Sequence, residues 1–478
     1  MSQPEVPHFP MIIGGQPVSS GERHEVRNPF DLSLVGTCPV GTVDDVDRAV
    51  AAARAAFPEW AALGDAARAH YCTRIGDVFQ AHAGELARLI TLEQGRPIIA
   101  NGFGSQFELG GCVGWSMATA QFALDDRVVL EGGGVRAVQK RVPKGVVGSI
   151  TPWNWPLLIA VWHLLPALRA GNCVVMKPSP FTPLSTLRAA ELLNQILPAG
   201  VFNVVTGDGE VGTRLSLHEG IDKVIFTGST ATGKRVMQNA ALNVTDCTLE
   251  LGGNDAAIVL PGAAIADIAP GLFFGAFINA GQTCGAIKRI YVSNEQHDTL
   301  AEALAAIASG TTVGNGLEAS SDMGPLQNAP QHAKVKALIA QAVRDGANLL
   351  AGGTQVGEGY GLTPAVLANC TQAMGIVAQE QFGPAIPLVR YDTPDQAIAM
   401  ANASEYGLCA SVWGSDPQGL AATGDALDAG TVYINTHAEL HPLVPFGGHK
   451  QSGLGTQFGE EGLLAFTDSK IVYERHRA

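Results

Sequence analysis

Apolar and polar positions change rhythm several times along this chain. Residues 1–40 read as short strands broken by turns, with GGQPVSSGER and RNPFD as punctuation. Thr42-Val43-Asp44-Asp45 sets a hydroxyl three residues before a carboxylate, so that each can bond the other's backbone N–H. That capping box predicts a helix through about Phe57. Ala-rich sequence with apolar residues at three- and four-residue spacing then predicts a long helical stretch over 65–94. At 126–142, DRVVLEGGGVRAVQKRV, two β-rich runs flank Gly132-Gly133-Gly134 and read as a hairpin. A lone hairpin is marginal in water, so this one is expected to lie against something larger, such as a second subunit.

From 145 to 260 strand-like runs alternate with helical ones: GVVGSI (145–150), NCVVMK (172–177), VFNVV (201–205), KVIFT (223–227) and AAIVL (256–260). Strands joined in this way imply a parallel sheet with right-handed crossovers. Ligands of such sheets sit at the carboxyl ends of the strands. The loops after Ile150, Lys177, Val205 and Thr227 are therefore expected to face one crevice. A second α/β block begins near 270, with an apolar helix through about Ala280, the strands RIYV and AIPLVRY, and a final strand IVYER at 471–475. The blocks divide near Gly252-Gly253 without a Ser/Gly linker, which predicts a tight interface with the active site in the cleft.

Composition narrows the class. A chain of 478 residues, 46% hydrophobic and 15% charged, has material for a large core, and its length suggests roughly two to four domains. The net charge of −14 with no Lys/Arg run argues against a nucleic-acid partner. The first residues carry no basic and apolar leader, and Pro156–Ala170, the nearest approach to a membrane span, is interrupted by His163, Pro166 and Arg169. Eight scattered cysteines without CxxC spacing suggest a reducing compartment and no metal. The expectation is a cytoplasmic protein without membrane contact.

Two glycine loops compete for a phosphate. Gly207-x-Gly209-x-x-Gly212 has the form of a dinucleotide fingerprint, but the next strand ends in Phe226-Thr227 where that fingerprint wants an acid. FTGSTATGKR (226–235) has the glycines and lysine of a P-loop, but Arg235 stands where a hydroxyl should reach Mg²⁺. A strand, a glycine turn and a helix N-terminus still favour an anion, and a phosphate without metal fits a dinucleotide. The alternative is that Gly228 and Gly233 only make a tight turn.

Three further stretches carry candidate chemistry. In TPWNWPL (151–157), Asn154 sits between two indoles and can donate to an oxyanion, or can simply cap a turn. In LELGGND (249–255), Glu250 lies in an apolar run, where a carboxylate is either paired or raised in pKa toward general-base work. In NAGQTCGA (279–286), Cys284 among small residues is either an approachable nucleophile or an inert core thiol. An oxyanion donor, a base and a thiol near a dinucleotide crevice suit thiol addition to a carbonyl, hydride loss and thioester hydrolysis.

PWNWPL, MKPSPFTPL, FTGSTATGK, LELGGND, GQTC, QEQFGPAIPL and PFGGHKQSGLG occur in this order, with a step of 34 residues from Glu250 to Cys284. In these motifs the whole chain resembles the NAD(P)-dependent aldehyde dehydrogenase superfamily. The resemblance implies an α/β fold: a Rossmann-type cofactor domain (1–125 and 143–252), an α/β catalytic domain (253–450) and a small β oligomerisation element (126–142 and 466–478). It implies Cys284 as nucleophile, Asn154 with the Cys284 N–H as oxyanion hole, and Glu250 as the base for thioester hydrolysis. Lys177 would contact the adenosine ribose, Ser229 the pyrophosphate, and Glu380, beside Phe382, the nicotinamide ribose. Ile150, Trp153, Ser179, Pro180, Gly207, Phe226, Gly228, Gly233 and Leu251 complete the implied cofactor cleft. Many NAD-preferring members carry Glu where this chain has Pro180, so NAD is expected to be preferred with NADP tolerated. A second acid of some members is replaced by Gln457.

The matching substrate positions are Trp155, Ile159, Trp162, Ile278, Leu440 and Phe446, with Thr283 and Gly285 beside the sulfur. This apolar wall points to a bulky hydrophobic aldehyde, aromatic, terpenoid or medium-chain, handled by a homodimer or homotetramer. The alternatives are a CoA-acylating semialdehyde dehydrogenase, a cofactor-free thiol hydrolase and a non-catalytic binding relative.

Overall fold

The computed structural model describes residues 6–19, 21–100 and 104–476. The ends of the 1–125 and 466–478 segments, residue 20 and residues 101–103 lie outside that description. One sheet has eight strands in the order Gln16–Val18, Met11–Ile13, Phe202–Val204, Cys173–Lys177, Val146–Ile150, Lys223–Thr227, Asp246–Glu250 and Gly453–Leu454. The strands from Phe202–Val204 to Asp246–Glu250 are parallel. They are Val- and Ile-rich runs rather than alternating ones because helices cover both faces.

The chain steps outward from Val146–Ile150 through Cys173–Lys177 to Phe202–Val204, then returns to the opposite flank at Lys223–Thr227. That reversal opens a crevice above the carboxyl ends of Val146–Ile150 and Lys223–Thr227. Buried His163, on the helix Pro156–Arg169, ties these two strands together through Ser149 Oγ (2.9 Å) and Thr227 Oγ1 (2.9 Å). Burial drives its pKa down to about 3, so the ring bridges as a neutral imidazole.

Asp255–Val259 opens a second sheet of seven strands, ordered Asn348–Ala351, Ala365–Cys370, Ala385–Tyr391, Ile287–Ser293, Asp255–Val259, Cys409–Trp413 and Thr431–Ile434. It is parallel except at the Asn348–Ala351 edge. Gly252 and Gly253 lie between the last long strand of the first sheet and the first strand of this one. A third sheet joins Arg127–Gly132, Val135–Pro143 and Thr467–Arg475, all antiparallel. The 126–142 hairpin thus packs on the tail of its own chain along Val135–Pro143.

Some local expectations need correction. The capping box at Thr42 and Asp45 is present, but its helix runs on through Pro58 to Ala62. The 65–94 stretch breaks at His82 (φ −109, ψ 15) into Asp65–Ala81 and Ala83–Gln94. The apolar helix before the cysteine spans Ile265–Phe277 and stops short of Ala280, because Asn279 (φ 53) and Ala280 (φ 55) turn left-handed. The helix Ser105–Gln121 has no counterpart in the sequence reading, since its glycines blur the apolar stripe.

Candidate active site

At the crevice, Ser229 caps the helix Thr230–Ala241: its hydroxyl accepts from the Thr232 N–H (3.3 Å) and donates to Thr232 Oγ1 (3.0 Å). Gly228 N–H donates to Glu250 O (3.0 Å) on the neighbouring strand. A Cβ on Gly228 would fall 2.6 Å from the Phe226 ring, and one on Gly233 would fall 2.3 Å from Leu251 Cδ2. The glycines therefore do make a tight strand–helix turn, and the same turn aims the helix N-terminus into the crevice, where it favours an anion.

Lys177 ends its strand almost fully buried, and its ammonium donates to Pro178 O (3.1 Å). Burial pushes its pKa down to about 8 against the opposing pull of Asp208. Asp208 itself caps the helix Gly209–Leu217, and Gly207 (φ +134) makes the preceding turn. Of the other implied contacts, Ile150 closes the strand before the Trp153 loop, and buried Ser179 accepts from Phe181 N–H (3.3 Å). Pro180 O accepts from His24 Nε2 (2.8 Å).

On the opposite wall, Glu380 Oε1 accepts from Gly253 N–H (3.1 Å). A Cβ on Gly252 would lie 2.7 Å from Glu380 Oε2, so the glycine pair makes room for the carboxylate. Burial raises the Glu380 pKa, with Lys288 pulling it back. Phe382 adopts φ 53, a strained angle for a bulky side chain, and meets Trp153 edge-on (centroids 5.4 Å apart, 84°). A buried ammonium with one protein acceptor, a serine-capped helix N-terminus and a carboxylate behind two glycines form a cradle that suits a dinucleotide.

The thiol side is assembled from distant segments. Cys284 is half-buried on a turn after Asn279 and Ala280. Burial pushes its pKa up to about 12; Lys288 opposes this, and Glu250 and Asp255 add to it. Asn154 donates one amide N–H to Gln282 O (2.8 Å), two residues before the cysteine, and its own carbonyl accepts from Asn279 Nδ2 (2.9 Å). An amide nitrogen carries two donors, so the second N–H remains. Glu250 ends its strand buried, and among the described residues neither carboxylate oxygen has a hydrogen-bond partner. Desolvation raises its pKa well above the usual carboxylate range.

A narrow cavity of about 80 Å³ opens on the sulfur. Trp155, Ile159 and Trp162 line one side of it, Ile278, Thr283 and Gly285 flank Cys284, and Leu440 and Phe446 close it. Trp155 Nε1 donates to Thr283 Oγ1 (3.0 Å), and the Arg96 guanidinium stacks on the same indole at 3.9 Å. Arg96 pairs with Glu108, whose other oxygen accepts from Leu157 N–H (2.9 Å) and Leu158 N–H (2.8 Å) at the start of the helix that carries this wall.

Every position that the sequence suggests for the substrate lines this cavity, and so do Phe107, Trp115, Cys409 and Tyr433, which the sequence did not suggest. Trp115 packs against Trp162 (5.5 Å) and Phe458 (5.4 Å), extending the aromatic wall. Its position in the unread helix Ser105–Gln121 hid it. Asn154 and Glu250 stand outside the cavity lining, behind the turn that carries the sulfur. Glu460 and Glu461, on the helix Gly459–Leu464, are exposed, and Gln457 is buried with its backbone paired to Phe446.

Residues 17–472 match the family described as the aldehyde dehydrogenase family. Phenylacetaldehyde dehydrogenase of Pseudomonas fluorescens is 37% identical, over 98% of this chain and 96% of the relative. The NAD+ complex of aldehyde dehydrogenase from Bacillus cereus superposes with a TM-score of 0.95 at 35% identity, covering 98% and 97% of the two chains. Lactaldehyde dehydrogenase from Escherichia coli also gives a TM-score of 0.95, at 33% identity, covering 98% and 100%. With its thiol, carboxylate and amide gathered beside the glycine turn that ends the strand Lys223–Thr227, the chain belongs to the aldehyde dehydrogenase family and is an oxidoreductase acting on aldehydes.

Proposed function

We propose that this enzyme oxidises a bulky apolar aldehyde, aromatic, terpenoid or medium-chain, to its carboxylate through a covalent thioester on Cys284. The observation that carries the reading is the cavity: it ends on the Cys284 sulfur, its walls are mostly aromatic and aliphatic, and among the described residues no Lys or Arg lines it to clamp a second carboxylate. Burying such a substrate contributes about 25 cal/mol per Å² of apolar surface.

In this mechanism the Cys284 sulfur, as thiolate, bonds to the aldehyde carbon. The free N–H of Asn154 and the N–H of Cys284 hold the resulting oxyanion. NAD, when bound, supplies the acceptor for the hydride that leaves this carbon. Lys177, the Ser229 helix N-terminus and Glu380 would hold it by the adenosine ribose, the pyrophosphate and the nicotinamide ribose. Glu250 then takes a proton from water, the hydroxide adds to the thioester carbon, and the C–S bond breaks to release carboxylate and the Cys284 thiol. A buried base with a raised pKa suits that step.

Pro180 leaves no carboxylate to repel a 2′-phosphate, which supports NAD use with NADP tolerated. The three-stranded sheet exposes Val128, Val129, Leu130 and Ile471, which supports its assignment as the oligomerisation element of a homodimer or homotetramer. The two large sheets support separate cofactor and catalytic domains divided near Gly252-Gly253.

The test is NADH formation with phenylacetaldehyde, benzaldehyde, citral, octanal and succinate semialdehyde, repeated with NADP. The apolar aldehydes should lead in kcat/KM, and Cys284→Ala should abolish turnover. A higher kcat/KM for succinate semialdehyde would overturn the substrate reading. Complete inertness toward NADP would overturn the tolerance.

A further inference from the structure

Lys288, on the strand Ile287–Ser293, is 2% exposed, yet it makes no ion pair with a carboxylate among the described residues. Its ammonium donates instead to Thr283 O (2.8 Å), Cys284 O (2.9 Å) and Ala286 O (2.9 Å). The remaining carbonyl of this run, Gly285 O, accepts from His437 Nε2 (2.9 Å). Every carbonyl from residue 283 to 286 is therefore held by a buried side chain. An ammonium has three donors, and all three are used on one turn.

Peptide planarity gives this clamp a chemical consequence. In a trans peptide the N–H points opposite the C=O. Holding Thr283 O on Lys288 turns the Cys284 N–H to the other side, and holding Cys284 O does the same for the Gly285 N–H. The Gly285 N–H is in fact directed at the Cys284 sulfur.

We propose that Lys288 is a positioning residue: its buried ammonium clamps the 283–286 turn so that amide donors and a positive field face the Cys284 sulfur. This rests on the reading of Cys284 as nucleophile. The anionic surroundings make the cation matter. Glu250 at its strand end and Asp255 on the next strand both oppose a thiolate when ionised, and Cys409 and Tyr433 on the cavity wall are held neutral by burial. Lys288 is the largest influence pulling the Cys284 pKa back down from the value that burial imposes. It acts the same way on Asp255 and Glu380. Lys334 is a further cation nearby, coupled to Glu380, and His437 is held neutral by burial. Phe382, 6.0 Å from the ammonium, covers it on the cofactor side.

The experiment is alkylation of Cys284 by iodoacetamide, followed by mass spectrometry of its peptide from mildly acidic to alkaline pH, in wild type, Lys288→Met, Lys288→Gln and Lys288→Arg. Losing the cation raises the thiol pKa, and each unit lowers the thiolate fraction tenfold below the pKa. Both neutral variants should therefore alkylate about tenfold more slowly at a given pH. Lys288→Arg should stay close to wild type. A folded neutral variant with the wild-type pH profile would overturn the proposal, as would an Arg variant as slow as the neutral ones. Failure of both neutral variants to fold, with Lys288→Arg normal, would assign the lysine a structural role only and equally overturn it. Alkylation needs neither NAD nor aldehyde, so its outcome is separate from NADH formation by the wild type, which tests the dehydrogenase reading itself.

Discussion

Two turns meet at this site, and they are held in different ways. The 226–233 turn is local: Ser229 caps its own helix, and Gly228 bonds one strand across, to Glu250 O. The 279–286 turn adds side chains far away in sequence, with Asn154 on Gln282 O, His437 on Gly285 O and Gln94 on Asn279 Oδ1 (3.1 Å), to the nearby Lys288 on the carbonyls around the sulfur. A turn that only has to present backbone N–H groups to a phosphate can be built from glycines and a cap. A turn that must fix one sulfur against a carbonyl is built from converging buried polar side chains, each costly to orphan.

Glu250 belongs to both turns, through its backbone carbonyl to Gly228 and its carboxylate near Cys284. Glu250→Gln keeps the first link and removes the base, so it gives the largest expected separation between them. Steady-state kcat should fall by about 10²-fold or more, after a burst of NADH, with the NAD affinity unchanged. The wild type adds a pH test. Burial raises the Glu250 pKa, so its ionised fraction, and with it the proposed deacylation, climbs with pH over a range above that of an ordinary carboxylate. Stopped-flow and steady-state rates against pH should show that limb in wild type and not in the variant. Lost NAD binding in Glu250→Gln would break the comparison, because the two turns would then act as one.

Gln282→Leu probes the long-range turn directly. Fully buried Gln282 donates to Asn279 O (3.0 Å) and Pro325 O (3.3 Å) and accepts from Gln327 N–H (2.9 Å). Leucine fills the volume and keeps the backbone bond from residue 282 to Asn279 O, but orphans Pro325 O and the Gln327 N–H, at about 1–3 kcal/mol each. Thermal denaturation should show a loss of about 3 kcal/mol, with lower kcat and near-normal NAD affinity. Equal losses of kcat and NAD affinity would show that the turns are coupled.

The same contrast governs what was legible in the sequence. Glycine turns, caps and strand–helix alternation are local in sequence, so the parallel sheet, the 226–233 loop and the Thr42 capping box could be read directly. Glu250 stood out because it interrupts an apolar run, Asn154 because it sits between two indoles, and Cys284 because small residues surround it. Lys288, His437 and Gln282 gave no such signal: each looks ordinary among its neighbours, His437 and Gln282 because their partners are distant in sequence, and Lys288 because nothing in the sequence says that its strand turns its ammonium back onto residues 283–286. Trp115 was hidden for a related reason, since its helix shows no clean apolar stripe.

The smallest effect should come from the local turn. Ser229→Ala removes one cap, about 1 kcal/mol of stability, while the backbone N–H groups and the helix dipole remain. If the hydroxyl also bonds the pyrophosphate, KM for NAD should rise about two- to tenfold, the range for one lost hydrogen bond of about 0.5–1.5 kcal/mol. Ser229→Gly separates the two roles, because glycine is nearly as good a cap as serine but carries no hydroxyl. Both variants should raise KM alike while only alanine lowers the melting temperature. If glycine instead restores KM along with stability, the serine is a cap and nothing more, and the phosphate is held by the turn's backbone alone.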